Sequence, residues 1–144
     1  MKQLLSLVLL SIISYAGSAD AIINCQSGSA RTQLKFSDED LNAWFKNGEF
    51  SIDKKSIKLD DEYGYIISDL KKGVYVLKYN NPKRDIVLDF YAVPSTVKKT
   101  KLDTHGTSYK FNAIVGGGST DPREKNKDLL RKTIWLSCTL KYEF

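Results

Sequence analysis

Ile134-Trp135-Leu136-Ser137-Cys138-Thr139-Leu140-Lys141-Tyr142-Glu143-Phe144 ends the 144-residue sequence with an apolar side chain on every second position. A period of two is the signature of a strand with one face in a core and the other in water. Ile134, Leu136, Cys138, Leu140, Tyr142 and Phe144 make the core face, and Ser137, Thr139, Lys141 and Glu143 the wet one. Trp135 alone breaks the pattern, as a large aromatic on the polar face.

The same period recurs upstream. Tyr109, Phe111, Ala113 and Val115 alternate before Gly116-Gly117-Gly118 ends the run. The stretch from Asp85 to Val93, closed by Pro94, follows a turn at Asn80-Asn81-Pro82-Lys83. Tyr63 to Leu70 and Val74 to Tyr79 flank Lys71-Lys72-Gly73, a short glycine-bearing link that predicts a β-hairpin. Gln33 to Phe36 and Phe50 to Leu59 are further strand candidates, which makes six or seven in all.

One helix is expected. Ser37 is placed to cap it, with Asp40 three residues on, Phe36 before the cap to pack on Leu41, and Gly48 as the C-terminal cap. Leu41, Trp44 and Phe45 would then share one face. Many short strands with a single helix predict a mainly β fold: an antiparallel β-sandwich or a small β-barrel with one short helix. The segment from Gly116 to Arg131, glycine-rich and then charged, reads as a long loop between the last two strands.

The N-terminus reads as an export signal. Met1-Lys2-Gln3 is a short basic start, and the apolar run Leu4 to Ala16 is well short of the ~20 residues of a permanent membrane span. Small-x-small cleavage fits after Ala19 or after Ala21. The second is preferred, giving a signal peptide at residues 1–21 and a single β domain at residues 22–144. Ile22-Ile23-Asn24 before Cys25 lacks the small residues of a lipid-attachment box. The expected location is therefore periplasmic or secreted, with no permanent membrane anchor. Two cysteines in a chain bound for an oxidising compartment predict a Cys25–Cys138 disulfide.

Twenty-two basic against 17 acidic residues give a net charge of +5, and loss of residues 1–21 removes Lys2 and Asp20 and leaves that balance unchanged. Basic residues gather at 54–58, 71–72, 98–101 and 123–132. In an exported chain such clusters point to an anionic envelope polymer, lipid headgroups or an acidic protein partner and not to nucleic acid.

No constellation for catalysis is present. The sole histidine, His105, lies in the polar run Asp103 to Ser108, where neighbours in sequence cannot converge as a nucleophile, base and orienting acid do. Gly116 to Thr120 lacks the lysine followed by a hydroxyl residue that completes a phosphate loop. Asp60-Asp61-Glu62 reads as a solvated turn rather than a calcium loop. No catalytic residue, metal or cofactor is expected.

The spaced residues Phe111-x-Ala113, Asp121-Pro122-Arg123 and Ile134-x-Leu136-x-Cys138-x-Leu140-x-Tyr142 resemble the C-terminal half of small secreted bacterial β proteins, which implies fold and compartment. His105-Gly106-Thr107-Ser108-Tyr109 is similar to the Ser-Gly-x-x-Tyr inhibitory loop of periplasmic lysozyme inhibitors, with histidine in place of the serine. The expected function is that of an exported, non-enzymatic binding protein, such as an inhibitor or immunity protein against a cell-wall enzyme or toxin. Its contact residues would be His105, Gly106, Ser108 and Tyr109 on one exposed loop, Asp121 and Arg123 on another, and Trp135 as an aromatic anchor. Alternatives are an envelope structural or adhesion subunit, a periplasmic enzyme, and a small outer-membrane barrel. Too few strands and too many lysines count against the last.

Overall fold

A computed structural model describes residues 20–39, 44–102, 105–118 and 133–143. They form ten strands: β1 (Ala21–Gln26), β2 (Thr32–Glu39), β3 (Trp44–Ile52), β4 (Lys55–Leu59), β5 (Gly64–Asp69), β6 (Val74–Asn81), β7 (Ile86–Ala92), β8 (Lys98–Lys101), β9 (Gly106–Gly118) and β10 (Ile134–Glu143). Every pairing is antiparallel. The sheet runs β1, β2, β3, β5, β6, β7, β9, β10 and returns to β1, so it closes into an eight-stranded barrel. Closure settles the choice between sandwich and barrel, and it satisfies the backbone groups that an open edge would expose.

β4 and β8 complete two interrupted staves. β3 pairs with β4 over Gly48–Ile52 and with β5 at Trp44. Likewise β9 pairs with β8 over Thr107–Lys110 and with β7 over Ala113–Gly118. Each interruption is a 3-10 turn, Asp61–Tyr63 in one stave and Pro94–Thr96 in the other. Thr96 stitches the second back to the wall: its hydroxyl donates to the Val93 carbonyl (2.7 Å) and accepts from the Asn112 N–H (2.9 Å).

An eight-stranded barrel has an interior just wide enough for side chains to fill it. Here aromatics do so, in a connected chain across the barrel. Phe45 contacts Tyr79 (6.2 Å between ring centroids) and Phe36 (5.8 Å), and Phe36 contacts Tyr75 (6.3 Å) and Phe90 (5.7 Å). Tyr75 and Phe90 both meet Phe111. Leu34, Leu77, Leu88, Leu136 and Leu140 pack around them.

The last strand follows its sequence pattern, with Leu136, Cys138 and Leu140 buried and Trp135 exposed. Cys138 pairs in register with Cys25 across β10 and β1, 4.1 Å between Cα atoms, and the two are disulfide-bonded inside the barrel. The bond thus joins the first strand to the last at the seam where the sheet closes.

The expected helix is absent. Its residues belong to the β2–β3 hairpin, with Asp40 and Leu41 outside the described residues, and 3-10 turns are the only helical pieces among those described. A β-bulge explains the misreading. Between Lys35 and Ser37 the register shifts, and Asn47 takes a left-handed conformation (φ 54°) on the opposing strand. Phe45 and Gly48 therefore both face inward, three residues apart, and imitate helical spacing. Trp44 points out on the other face, 68% exposed, whereas a helix would have placed it beside Phe45.

Three further expectations are corrected. Phe50 to Leu59 is not one strand but the end of β3, a turn at 53–54 and β4. Gly116-Gly117-Gly118 does not end β9 but pairs with β7, and Gly117 (φ 156°) lies so close to the Val87 carbonyl that a Cβ would overlap it. The strand count rises from six or seven to ten, because β1 and the lysine-rich β8 carry too little apolar alternation to be read. β1 begins at Ala21, which is fully buried and pairs with Asp38, so cleavage after Ala19 would leave that strand whole.

Two polar pairs lie inside the barrel among the described residues, Asn81 Nδ2 donating to the Tyr79 hydroxyl at 3.2 Å in one and Tyr75 with Asp38 in the other. The Tyr75 hydroxyl donates to Asp38 Oδ2 at 3.1 Å, with both residues fully buried. Burial, reinforced by the Asp38 carboxylate, pushes the Tyr75 phenol well above its ordinary value of 10.0. Because the folded value is the higher, its contribution is intact below pH 10. It is lost above that, where the unfolded chain ionises and the fold does not. Urea titrations should show the wild type and Tyr75→Phe running parallel up to about pH 9 and, above pH 10, the wild type losing about 1.4 kcal/mol per pH unit more. Parallel alkaline slopes would show that Tyr75 ionises freely in the fold.

Candidate functional site

Because side chains alternate across a barrel wall, the outward residues of neighbouring strands form rows set by the register. On β2, β1, β10, β9 and β8 one such row reads Lys35, Asn24, Thr139, Lys110 and Lys98, each paired directly with the next. The adjoining row reads Gln33, Gln26, Ser137 and Asn112, again in direct register. The 3-10 turn that interrupts the β7–β8 stave places Ser95 and Thr96 along one side.

These residues line a groove of about 780 Å³ on the outside of the barrel, over the disulfide. Among the described residues its lining holds three lysines, a set of amides and hydroxyls, and no acid. Among the described residues four lysines elsewhere are paired, Lys46 with Glu39 (2.6 Å), Lys78 with Asp89 (2.9 Å), Lys72 with Asp69 (3.1 Å) and Lys83 with Glu62 (3.8 Å), while Lys54, Lys55, Lys58, Lys71, Lys99, Lys101 and Lys141 make no ion pair. Lys35, Lys98 and Lys110 make no ion pair among the described residues. Strands lie about 4.8 Å apart, so Lys35 and Lys110 stand roughly 14 Å from each other, with Lys98 one strand beyond. The lattice thus offers spaced positive charges with neutral donors and acceptors between them. That arrangement suits an extended ligand with several negative groups.

A second pocket, on β3, β4 and the Asp61–Tyr63 turn, carries the opposite charge through Glu49, Asp60, Asp61 and Glu62. Its acids are engaged in holding the fold. Asp61 Oδ1 accepts from the Asn47 N–H of the bulge (2.8 Å), and Asp60 Oδ2 accepts from Asn81 Nδ2 (2.8 Å). No group of three or more His, Cys, Asp or Glu placed to hold a metal ion occurs among the described residues.

The residues singled out in the sequence fall elsewhere or at the margin. His105 is exposed at a bend, but Gly106, Thr107, Ser108 and Tyr109 are buried strand residues of β9. The expected exposed loop is therefore a strand paired on both sides, by β8 and β10. Burial and a hydrogen bond with Tyr142 push the Tyr109 phenol upward, as befits a core residue. Asp121 and Arg123 lie outside the described residues. Trp135, 60% exposed, stands two residues from Ser137 on the same face of β10, at the rim of the groove.

Comparison with family models, curated proteins and solved structures finds no match to this chain. The wall lattice itself therefore carries the functional reading. Of the groove's three lysines only Lys98 belongs to a cluster visible in the sequence. Lys35 and Lys110 sit alone on strands β2 and β9, and only the register brings all three together.

Proposed function

We propose that the protein is a non-enzymatic binding module of the periplasm or secreted space, and that it holds an anionic partner in the Lys35–Lys98–Lys110 groove. The observation that carries this reading is the row of three lysines with no ion pair among the described residues, spaced by asparagine and threonine, with no acid in the described lining. The filled interior leads the same way. A barrel packed with Phe36, Tyr75, Phe90 and Phe111 offers its outside to a partner, not a ligand chamber. In its sharpest form the partner is a cell-wall enzyme or toxin that presents an acidic surface, and the module is its inhibitor or immunity protein.

The polarity of the wall bears on the outer-membrane alternative. Strand number no longer argues against it, since the barrel has eight staves. A lipid-facing wall needs an apolar outer band and a polar interior. Here Lys35, Glu49, Lys78, Asp89 and Lys110 face outward among a few aromatics, and Phe36, Phe45, Phe90 and Phe111 fill the interior, which supports a barrel that works in water.

The reading is tested by charge reversal. Lys35→Glu, Lys98→Glu and Lys110→Glu together should weaken capture of the partner by about tenfold or more, each exposed cation being worth up to about 1 kcal/mol. Added salt should weaken wild-type capture as well. The oxidised protein is presented in parallel to cell-wall hydrolases, to an envelope protein extract and to polyglutamate. Capture of one protein identifies an acidic protein surface, and capture of polyglutamate alone identifies an anionic polymer. Reversal of Lys54 in the turn before β4, with Lys55 and Lys58 on β4, is the control. If it weakens capture as much as the groove variant, net charge and not the groove is responsible, and the assignment fails.

A further inference from the structure

Across the barrel from the groove, the outward face changes character. In the ring of eight strands β6 stands four places from β1, on the opposite wall. There Ile67, Val76 and Tyr91 form one directly paired row over β5, β6 and β7. The next row reads Trp44, Tyr65, Lys78 and Asp89 over β3, β5, β6 and β7. Trp44, Tyr65, Ile67 and Tyr91 are 68, 54, 52 and 45% exposed.

We infer that this wall is a homodimer interface, packing face to face against a second copy of the same chain about a twofold axis. The apolar area suits it. With aromatic side chains presenting roughly 200 Å² each when free, these residues expose about 450 Å² of apolar surface. A standard interface buries ~800 Å² per partner, a little over half of it apolar, which is close to the same ~450 Å².

The charges suit it too. Among the described residues the ions in these rows are Lys78 and Asp89, paired with each other at 2.9 Å, and Glu39 beside Trp44 is paired with Lys46 at 2.6 Å, so the face is neutral on a protein of net charge +5. A twofold axis brings a surface against itself, and a patch that carries one cation beside one anion is complementary to its own copy. Two positively charged copies repel at long range, which leaves a neutral apolar wall as the place where they can meet. Packed this way, each copy keeps its lysine groove on the outer side. The inference does not depend on what that groove binds.

Sedimentation equilibrium of the oxidised full chain tests it. Dimer should form in the micromolar range and strengthen as salt rises, because screening removes the repulsion while the contact is apolar. Tyr91→Lys and Ile67→Lys, both at outward positions, should each weaken it by about tenfold or more with circular dichroism unchanged. Lys35→Glu, on the opposite wall, should leave it intact. Phosphatidylglycerol vesicles distinguish the rival occupant. A wild type that stays monomeric at every concentration overturns the inference, as does one that stays monomeric but binds vesicles through Tyr91, more weakly as salt rises.

Discussion

Replacing both cysteines, Cys25→Ser with Cys138→Ser, lowers the free energy of unfolding by about 4–5 kcal/mol. The linked residues are 113 apart, so the bond removes nearly the largest loop entropy this chain offers to the unfolded state. Its position adds to the effect. β1 and β10 meet through five residue pairs at the seam that closes the barrel, and the bond sits within that ladder. Urea unfolding of oxidised, reduced and double-serine protein measures it, and the last two should coincide. A loss under about 1 kcal/mol would mean that the β1–β10 ladder and the buried leucines hold the seam without the bond.

Gly48→Ala is expected to cost about 2–3 kcal/mol although the new group is a single methyl. The Phe45 ring lies flat over two glycines. A Cβ on Gly48 would overlap it and approach Leu59 Cβ to 2.8 Å, and a Cβ on Gly64 would come within 2.7 Å of the ring's Cγ. The ring cannot move away freely, because Phe36 and Tyr79 pack against it. Phe45→Ala alone should cost about 3–5 kcal/mol. In that background Gly48→Ala has room, so the double variant should fall short of the sum by about 1.5 kcal/mol or more. Strict additivity would show that the glycine is required by the backbone of the bulge and not by the ring.

This pair also shows where sequence reading loses its grip. Glycine is common at helix C-caps, and Leu41, Trp44 and Phe45 carry helical spacing, so the segment around Gly48 reads locally as a helix. In the fold Gly48 is a gap cut for an aromatic from its own strand, beside a bulge that breaks the period of two. Neither the bulge nor the ring's resting place leaves a local mark, since both depend on β2 and on the Asp61–Tyr63 turn. The motif at His105 to Tyr109 met the same fate. Its polar residues read as a turn, but β10 pairs with Gly106 to Tyr109 on one side and β8 with Thr107 to Tyr109 on the other, and all four are buried, leaving only His105 exposed.

Local chemistry determined a good deal without help. Alternation marked β10, β9, β7, β6 and β5, because burying one face of a strand constrains every second residue. Two cysteines, with residues 1–21 read as an export signal, predicted the Cys25–Cys138 bond. Register, in contrast, belongs to no segment. The strand order alone aligned Lys35 with Asn24, Thr139, Lys110 and Lys98 on one wall, and Ile67 with Val76 and Tyr91 on the other. Each of these outward residues looks ordinary in its own strand. A binding surface on a barrel is a sum over neighbouring strands, and only closure of the sheet decides which strands are neighbours.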